Sequence, residues 1–286
     1  MKYAFIEKRR SAFGVERMCR VLQVSRSGYY DWRKRGVSNR KKANRRLLKS
    51  IDDAMQRSRW TYGSPRITAE LNAQGIECSK NRVARIMREN GIRAKTKRKF
   101  KATTNSKHNF PVADNILNRQ FSATAPNRKW TSDITYIWTH EGWLYLSVIL
   151  DIYSRQIVGW AMSNRLTKEL TIDAFEQAVS HRKLSPEVIF HSDRGSQFAC
   201  TEFQELLAKR NMIPSMSRAG DCYDNAITET FFGTLKTELI YFEEYFLRDE
   251  ARRSIFEYIE VFYNRQRRHS ALGYMTPAEF EKIGLK

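Results

Sequence analysis

Residues 126–138, PNRKWTSDITYIW, alternate apolar and polar side chains from Trp130 to Trp138 and set one acid, Asp133, inside that pattern. A two-residue period is that of a half-buried β-strand. The apolar run Trp143 to Leu150, bounded by Gly142 and Asp151, predicts a buried strand, and Gln156 to Ala161 a third, joined to it through a turn at Asp151 to Arg155. Three consecutive antiparallel strands are therefore expected. Beyond them Thr167 to His181 reads as a helix, Val188 to His191 as a short buried strand, Cys200 to Arg210 as a helix and Ile213 to Met216 as a last strand. Asp221 to Tyr241 holds the longest helical candidate. Together these segments predict an α/β unit: a mixed five-stranded sheet with helices on both faces.

Upstream of residue 125 the periodicity is helical, so an all-α, helix-turn-helix-like region precedes the sheet. Val15, Met18, Cys19 and Leu22 share a helical face, Gln23 to Ser25 turns, and Tyr29, Tyr30 and Trp32 follow on a second short helix. Leu47, Leu48, Ile51, Ala54 and Met55 stripe a further helix that should stop before Gly63. Pro65 starts the next helix and Gly75 stops it. Ser79 caps the last, which buries Val83, Ile86 and Met87, presents Asn81, Arg85 and Arg88 on the opposite side, and ends at Gly91. That final pair predicts a second helix-turn-helix, with Asn81, Arg85 and Arg88 as the DNA-reading residues.

The net charge of +20 over 286 residues is unevenly placed. Residues 1–110 carry 30 Lys and Arg against 8 Asp and Glu, whereas residues 111–286 carry 21 against 23. A front region that basic predicts a polyanionic partner, DNA or RNA. Lys95, Lys97, Arg98, Lys99 and Lys101 read as a linker able to lie along a nucleic-acid backbone. The longest apolar run is 8 residues, against the roughly 20 needed for a membrane-spanning helix. Glu7, Lys8, Arg9 and Arg10 interrupt any signal-peptide hydrophobic region, so a cytoplasmic location is expected. The 4 cysteines form no CxxC pair and the histidines no His-x3-His pair, which argues against zinc and against a disulfide framework.

Three acids depart from ordinary surface patterning. Asp133 interrupts an aromatic strand, Asp193 ends a buried strand in HSDRGSQFA, and Glu229 sits beside Phe231 and Phe232 on a helix. Each would be costly as an isolated buried charge, so a cation is expected between them. Hard carboxylate oxygens suit magnesium or manganese. Two such ions would activate a water or 3′-hydroxyl and stabilise the leaving oxygen in an in-line displacement at phosphorus. Asp151, in its turn, and His191, which shares the face of Asp193, read as structural residues; Asp224 and Asp221 suit the positive start of a helix. Asn225 either orients Glu229, touches DNA, or begins the helix. Arg194, Gly195 and Gln197 occupy a loop suited to the phosphate backbone.

These residues carry a resemblance. Asp133, Asp193 and Glu229, with 35 residues between the last two, resemble the acidic triad of DDE transposases and retroviral integrases. PNRKWTSDITYI, the DIYSR turn, HSDRGSQF, SRAGDCYDNAITETFFGTLKTE and YNRQRRHSALGYMTPAEF resemble, in order, the OrfB proteins of the IS3 family of bacterial insertion sequences, over residues 1–283. The resemblance implies a ribonuclease H-like core, catalytic metal held by the three acids, and DNA contact by Lys236. It divides the chain into a helix-turn-helix-like segment (1–36), a second basic helical DNA-binding segment (44–94), a basic linker (95–124), and a ribonuclease H-like core with a C-terminal helical tail (125–286). It also implies a transposase that cleaves element ends and joins them to target DNA. Such an enzyme would act as a homo-oligomer at the bacterial nucleoid, with the upstream-frame OrfA protein as a further partner or fusion. A DNA-binding repressor on an idle core is the alternative.

If the basic front region binds phosphates, affinity of the full chain for long duplex DNA falls linearly with salt on logarithmic axes. Six phosphate contacts cost about a thousandfold between ~50 and ~200 mM salt. A titration by fluorescence anisotropy showing affinity unchanged by salt contradicts that assignment.

Overall fold

Side chains alternate across the sheet as the two-residue period requires. Leu144, Leu146, Val148 and Leu150 join one buried cluster while Ile149 joins the other. The computed structural model describes residues 1–95, 111–184, 186–218 and 222–284. Lys97, Arg98, Lys99 and Lys101 of the expected linker, and Asp221, lie outside the described residues. The strands are β1 (Lys129–Thr139), β2 (Gly142–Asp151), β3 (Ile157–Ser163), β4 (Ile189–Ser192) and β5 (Ile213–Met216). They form one five-stranded sheet in the order β3-β2-β1-β4-β5. The β1–β2 and β2–β3 pairs are antiparallel, as expected, and β1–β4 and β4–β5 are parallel.

Six helices precede the sheet among the described residues. The first unit is α1 (Lys2–Arg9), α2 (Val15–Val21) and α3 (Arg26–Lys34) around Ile6, Met18, Cys19 and Tyr29. The second is α4 (Asn39–Arg57), α5 (Ser64–Ala73) and α6 (Lys80–Glu89). Ser25 and Ser79 cap α3 and α6, their hydroxyls accepting from the Gly28 and Arg82 N–H groups at 3.1 and 3.3 Å. Gly75 and Gly91 end α5 and α6 with φ of 77° and 68°, a backbone region that strongly favours glycine. Within the core follow α7 (Lys168–His181), α8 (Ser196–Ala199), α9 (Thr201–Lys209), α10 (Ala226–Glu238), α11 (Arg248–Phe256) and α12 (Pro277–Gly284). At 13 residues α10 is not the longest described helix; α4, at 19, exceeds it. Leu239 leaves helical geometry, with φ −128° and ψ −72°, and closes α10 earlier than its apolar pattern suggests.

Helices α7 and α9 cover one face through Phe175, Ala178, Phe203 and Leu207, against Trp130 and Phe190. The approach of α7 to β3 is so close that a Cβ on Gly159 would stand 2.3 Å from the Ala174 carbonyl oxygen. Helices α10 and α11 cover the other face through Phe231, Leu235 and Ile255, continued by Tyr258 and Phe262 of the π-helical segment Glu257–Tyr263. The edge strand β3 is closed by a side chain: Asn264 accepts from the Ile157 N–H at 2.9 Å and donates to its carbonyl at 3.0 Å, standing in for a neighbouring strand. The second helical unit rests on the C-terminal tail. Tyr62 donates its hydroxyl to the Gln266 carbonyl at 3.2 Å and accepts from the Arg268 N–H at 2.6 Å, while Arg268 pairs with Glu70 at 2.6 Å. Among the described residues no helix is long and apolar enough to cross a membrane.

Phe203 sits among Phe175, Phe190 and Phe198, with ring centroids 5.4 to 5.7 Å away. Phe203→Ala is expected to cost about 3–5 kcal/mol. At about 2–4 °C per kcal/mol the midpoint drops by ~6 °C or more, and an unchanged midpoint by calorimetry contradicts this packing.

Candidate active site

Parallel pairing of β1 with β4 determines which side chains meet. Lys129, Trp130 and Thr131 lie opposite Ile189, Phe190 and His191. Two residues beyond the last pair come Asp133, inside β1, and Asp193, one residue past the carboxyl end of β4. In open α/β sheets this end is where ligands bind. Asp133 accepts from the Ile134 N–H at 2.7 Å, and Asp193 accepts from the Gly195 N–H at 2.9 Å in the turn that opens α8. Burial, and then the negative charge of Asp193, push the Asp133 carboxyl well above the usual carboxylate range; the Ile134 N–H and Lys236 oppose this, and Glu229 adds to it. Both the second aspartate and the glutamate therefore act electrostatically on the first, across long stretches of sequence. Among the described residues no three acids, histidines or cysteines stand close enough to form a ready-made metal cage. Glu229 faces solvent from the first turn of α10.

The start of α10 is bolted to β1 by buried polar groups. The Thr131 hydroxyl donates to Asn225 Oδ1 at 2.5 Å and lies 2.8 Å from the Thr228 hydroxyl, which itself donates to Asn225 Oδ1 at 3.0 Å. Asn225 Nδ2 donates to the Ser132 carbonyl at 3.2 Å. Asn225, which the sequence leaves open between orienting Glu229, touching DNA and starting the helix, is 5% exposed with its amide hydrogen-bonded inside the core, where it joins the start of α10 to β1. Lys236 is half-buried two turns further along α10, its ammonium 5.3 Å from the Tyr136 ring centre and felt by Asp133. The far end of the helix is also held. Glu238 accepts from Arg267 at 2.8 and 2.7 Å, from the Tyr258 hydroxyl at 2.9 Å, and pairs with Arg66 of α5 at 3.5 Å.

The remaining expectations separate clearly. His191 is fully buried, its ring nitrogens 2.9 and 3.2 Å from the Ser215 and Ser217 hydroxyls, and burial pulls its pKa down to about 4, so it is a neutral core histidine. Asp151 is fully buried and accepts from the Asn127 and Tyr153 N–H groups at 2.7 and 2.8 Å, bracing its turn. Asp224 does more than favour a helix start. It is buried and accepts from Asn115 at 2.7 Å, Arg119 at 3.0 Å and the Arg218 N–H at 3.0 Å. Arg194 donates from Nε to the Ser217 carbonyl at 2.6 Å, which ties its loop to the end of β5. On α6, Asn81 and Arg88 are exposed and Arg85 is half-buried. Asn81 and Arg85 line a groove of about 700 Å³ with Asn39, Arg40 and Arg82. Thr131, Thr228, Glu238 and Arg267 were not anticipated. Their signal is weak: polar residues on otherwise apolar faces.

Comparison with known proteins places this geometry. Models of the integrase core domain match residues 123–222 and 210–277, and a model of an HTH-like domain matches residues 41–100. The chain is 45% identical over 287 residues to the transposase InsF for insertion sequence IS3A of Escherichia coli (strain K12), covering 100% of both. It is 49% identical over 265 residues to an uncharacterized 31 kDa protein of insertion element IS600 of Shigella sonnei, covering 93% of this chain and 97% of that protein. Among solved structures it is similar to the HTLV-2 integrase catalytic core domain in complex with magnesium, with TM-score 0.43, 20% identity, 55% of this chain and 97% of that one. The class is that of transposases with an integrase catalytic core, enzymes of the DDE-type polynucleotidyl transferase superfamily. Within it, the chain belongs to the transposase family of IS3-type insertion sequences.

Asn225→Ala leaves the Thr131 and Thr228 hydroxyls short of a buried partner. It is expected to cost about 1–3 kcal/mol of stability while leaving DNA affinity within twofold. Stability retained with DNA affinity lost would return Asn225 to the DNA.

Proposed function

We propose that this transposase cleaves the ends of its insertion sequence and transfers the freed 3′-hydroxyls to target DNA, with Asp133, Asp193 and Glu229 as the catalytic, metal-holding carboxylates. The observation that carries this is the meeting of Asp133, inside β1, with Asp193, just past the end of the parallel neighbour β4, where two like charges need a cation between them. The all-oxygen donor set fits magnesium or manganese, and Glu229, one turn beyond the bolted helix start, is the third ligand. Two bound ions would supply Lewis acidity and a nucleophile at neutral pH. The protein's own part is positioning. The sheet holds the two aspartates level, the Thr131–Asn225–Thr228 cluster holds the helix of Glu229, and Lys236 offers its ammonium to a phosphate beside the carboxylates. Arg194 and the α6 residues Asn81, Arg85 and Arg88 are assigned to the DNA backbone and end sequence. The segments 1–36, 44–94 and 95–124 serve as two DNA-binding units and a basic linker. Joining two ends calls for more than one copy on DNA, and the upstream-frame OrfA protein is the natural further partner.

Asp193→Asn tests this directly. Incubated with a 3′-hydroxyl oligonucleotide, plasmid and magnesium, the variant is expected to lose joined product by more than ~100-fold, the upper range for residues that merely support a metal ligand, while still binding DNA. Chelating the metal produces the same loss in the wild type. Undiminished joining by the variant refutes the assignment and favours a repressor on an idle core.

A further inference from the structure

Strand β1 runs on well past β4. Its pairing with β4 spans Lys129 to Thr131, yet β1 continues to Thr139 and returns as β2; β3 follows them as far as Tyr145, opposite Tyr136, and a two-stranded hairpin projects beyond that pair. Its tip carries aromatic rings on the solvent side: Trp138 is 58% exposed, Trp143 42% and Tyr136 37%. Trp143 meets Tyr136 and Trp138 edge-to-face, with centroids 5.0 and 4.9 Å apart, an arrangement that leaves ring faces uncovered. The tip is rigid. Arg248 at the start of α11 donates from its backbone N–H to the Glu141 carboxylate at 2.7 Å and from its guanidinium to the Glu141 and Trp143 carbonyls at 2.6 and 3.2 Å. Exposed tryptophans on a braced hairpin are an unpaid hydrophobic cost unless something stacks on them.

What stacks is indicated by the surroundings. The rings border a cavity of about 400 Å³ that also takes in Lys236, Glu243 and Glu244. Lys236 joins two places, lying against Tyr136 and acting on Asp133. A phosphate held by Lys236 would thus have the carboxylates on one side and the aromatic rings on the other. The rim carboxylates repel a phosphate inside the cavity but accept hydrogen bonds from the amino edge of a base. From Asp133 to Trp138 is five residues of strand, ~17 Å at about 3.3 Å each, close to five nucleotides at about 3.4 Å.

Resting on the proposed strand-transfer reading, we propose that the Tyr136–Trp138–Trp143 hairpin is a base-stacking platform that captures an unpaired nucleobase of the DNA strand held at the carboxylates, about three to five nucleotides from the reacting phosphate. It would favour DNA ends that are opened over end-to-end paired duplex.

The test measures equilibrium binding of the full chain, with calcium replacing magnesium, to a duplex of ~30 base pairs and to the same duplex with about five unpaired nucleotides at one end. Wild type is expected to prefer the opened end. Trp138→Ala with Trp143→Ala is expected to lose about tenfold per stacked base on the opened end and less than twofold on the paired duplex. Trp138→Phe with Trp143→Phe keeps most of the preference, which separates stacking from folding. Equal affinity of wild type for both duplexes, or equal loss on both by the alanine variant, overturns the proposal. So does an alanine variant that keeps the opened-end preference but changes the oligomer mass in sedimentation, since the platform would then be a contact between copies. Joining of ends by a wild type that shows no such preference defeats this proposal alone; failure to join ends at all defeats the reading beneath it.

Discussion

Two carboxylates held level by a parallel backbone register govern this molecule. Hydrogen bonding between β1 and β4 is a stronger constraint than repulsion between Asp133 and Asp193, because shifting one strand by a single residue would turn its whole buried set to the wrong face. The strain appears where it must, in a carboxyl driven well above its usual range by burial and by its neighbour. The divalent cation proposed for this site would convert that conflict into attraction. The phenylalanine cluster under α7 and α9 keeps the strands in place, and the buried Thr131–Asn225–Thr228 group keeps α10 beside them.

Helix α10 is fastened at both ends, and its second fastening reaches other parts of the chain. Glu238 gathers Arg267 from the tail, Tyr258 from the π-helical segment and Arg66 from the second helical unit. A carboxylate in the last turn opposes the helix dipole, so these partners offset an unfavourable placement. They also connect the second helical unit to the helix that carries Glu229 and Lys236. Asp133, Glu229 and Lys236 thus sit on regular elements and Asp193 one residue past β4, an arrangement that holds reacting groups to tight tolerances.

Much of this was legible in the sequence because it is local. Period-two alternation exposed β1 and the interruption at Asp133, and glycine and serine punctuation located α5 and α6. The five strands follow from segments whose patterns need no knowledge of their neighbours. What sequence could not reveal is pairing at a distance. Asn225 stayed open between orienting Glu229, touching DNA and starting the helix because its partners Thr131 and Ser132 lie more than 90 residues away. Glu238 and Arg267, 29 residues apart, carry no local mark of the pairing that the fold makes at 2.7 Å. Length misled too: the apolar pattern around α10 continues past Leu239, while the backbone there leaves helical geometry. The alternation ending at Trp138 and the apolar run beginning at Trp143 read as strands, yet the two rings are 58% and 42% exposed at the hairpin tip.

The central claim, that distant acids converge on a divalent cation, is tested most directly by manganese. Crystals of the full chain grown with manganese, measured at its absorption edge, should show anomalous density between the carboxylates of Asp133 and Asp193 with Glu229 turned toward it. Saturating manganese with no density at those aspartates, or density only at another site, would contradict the account.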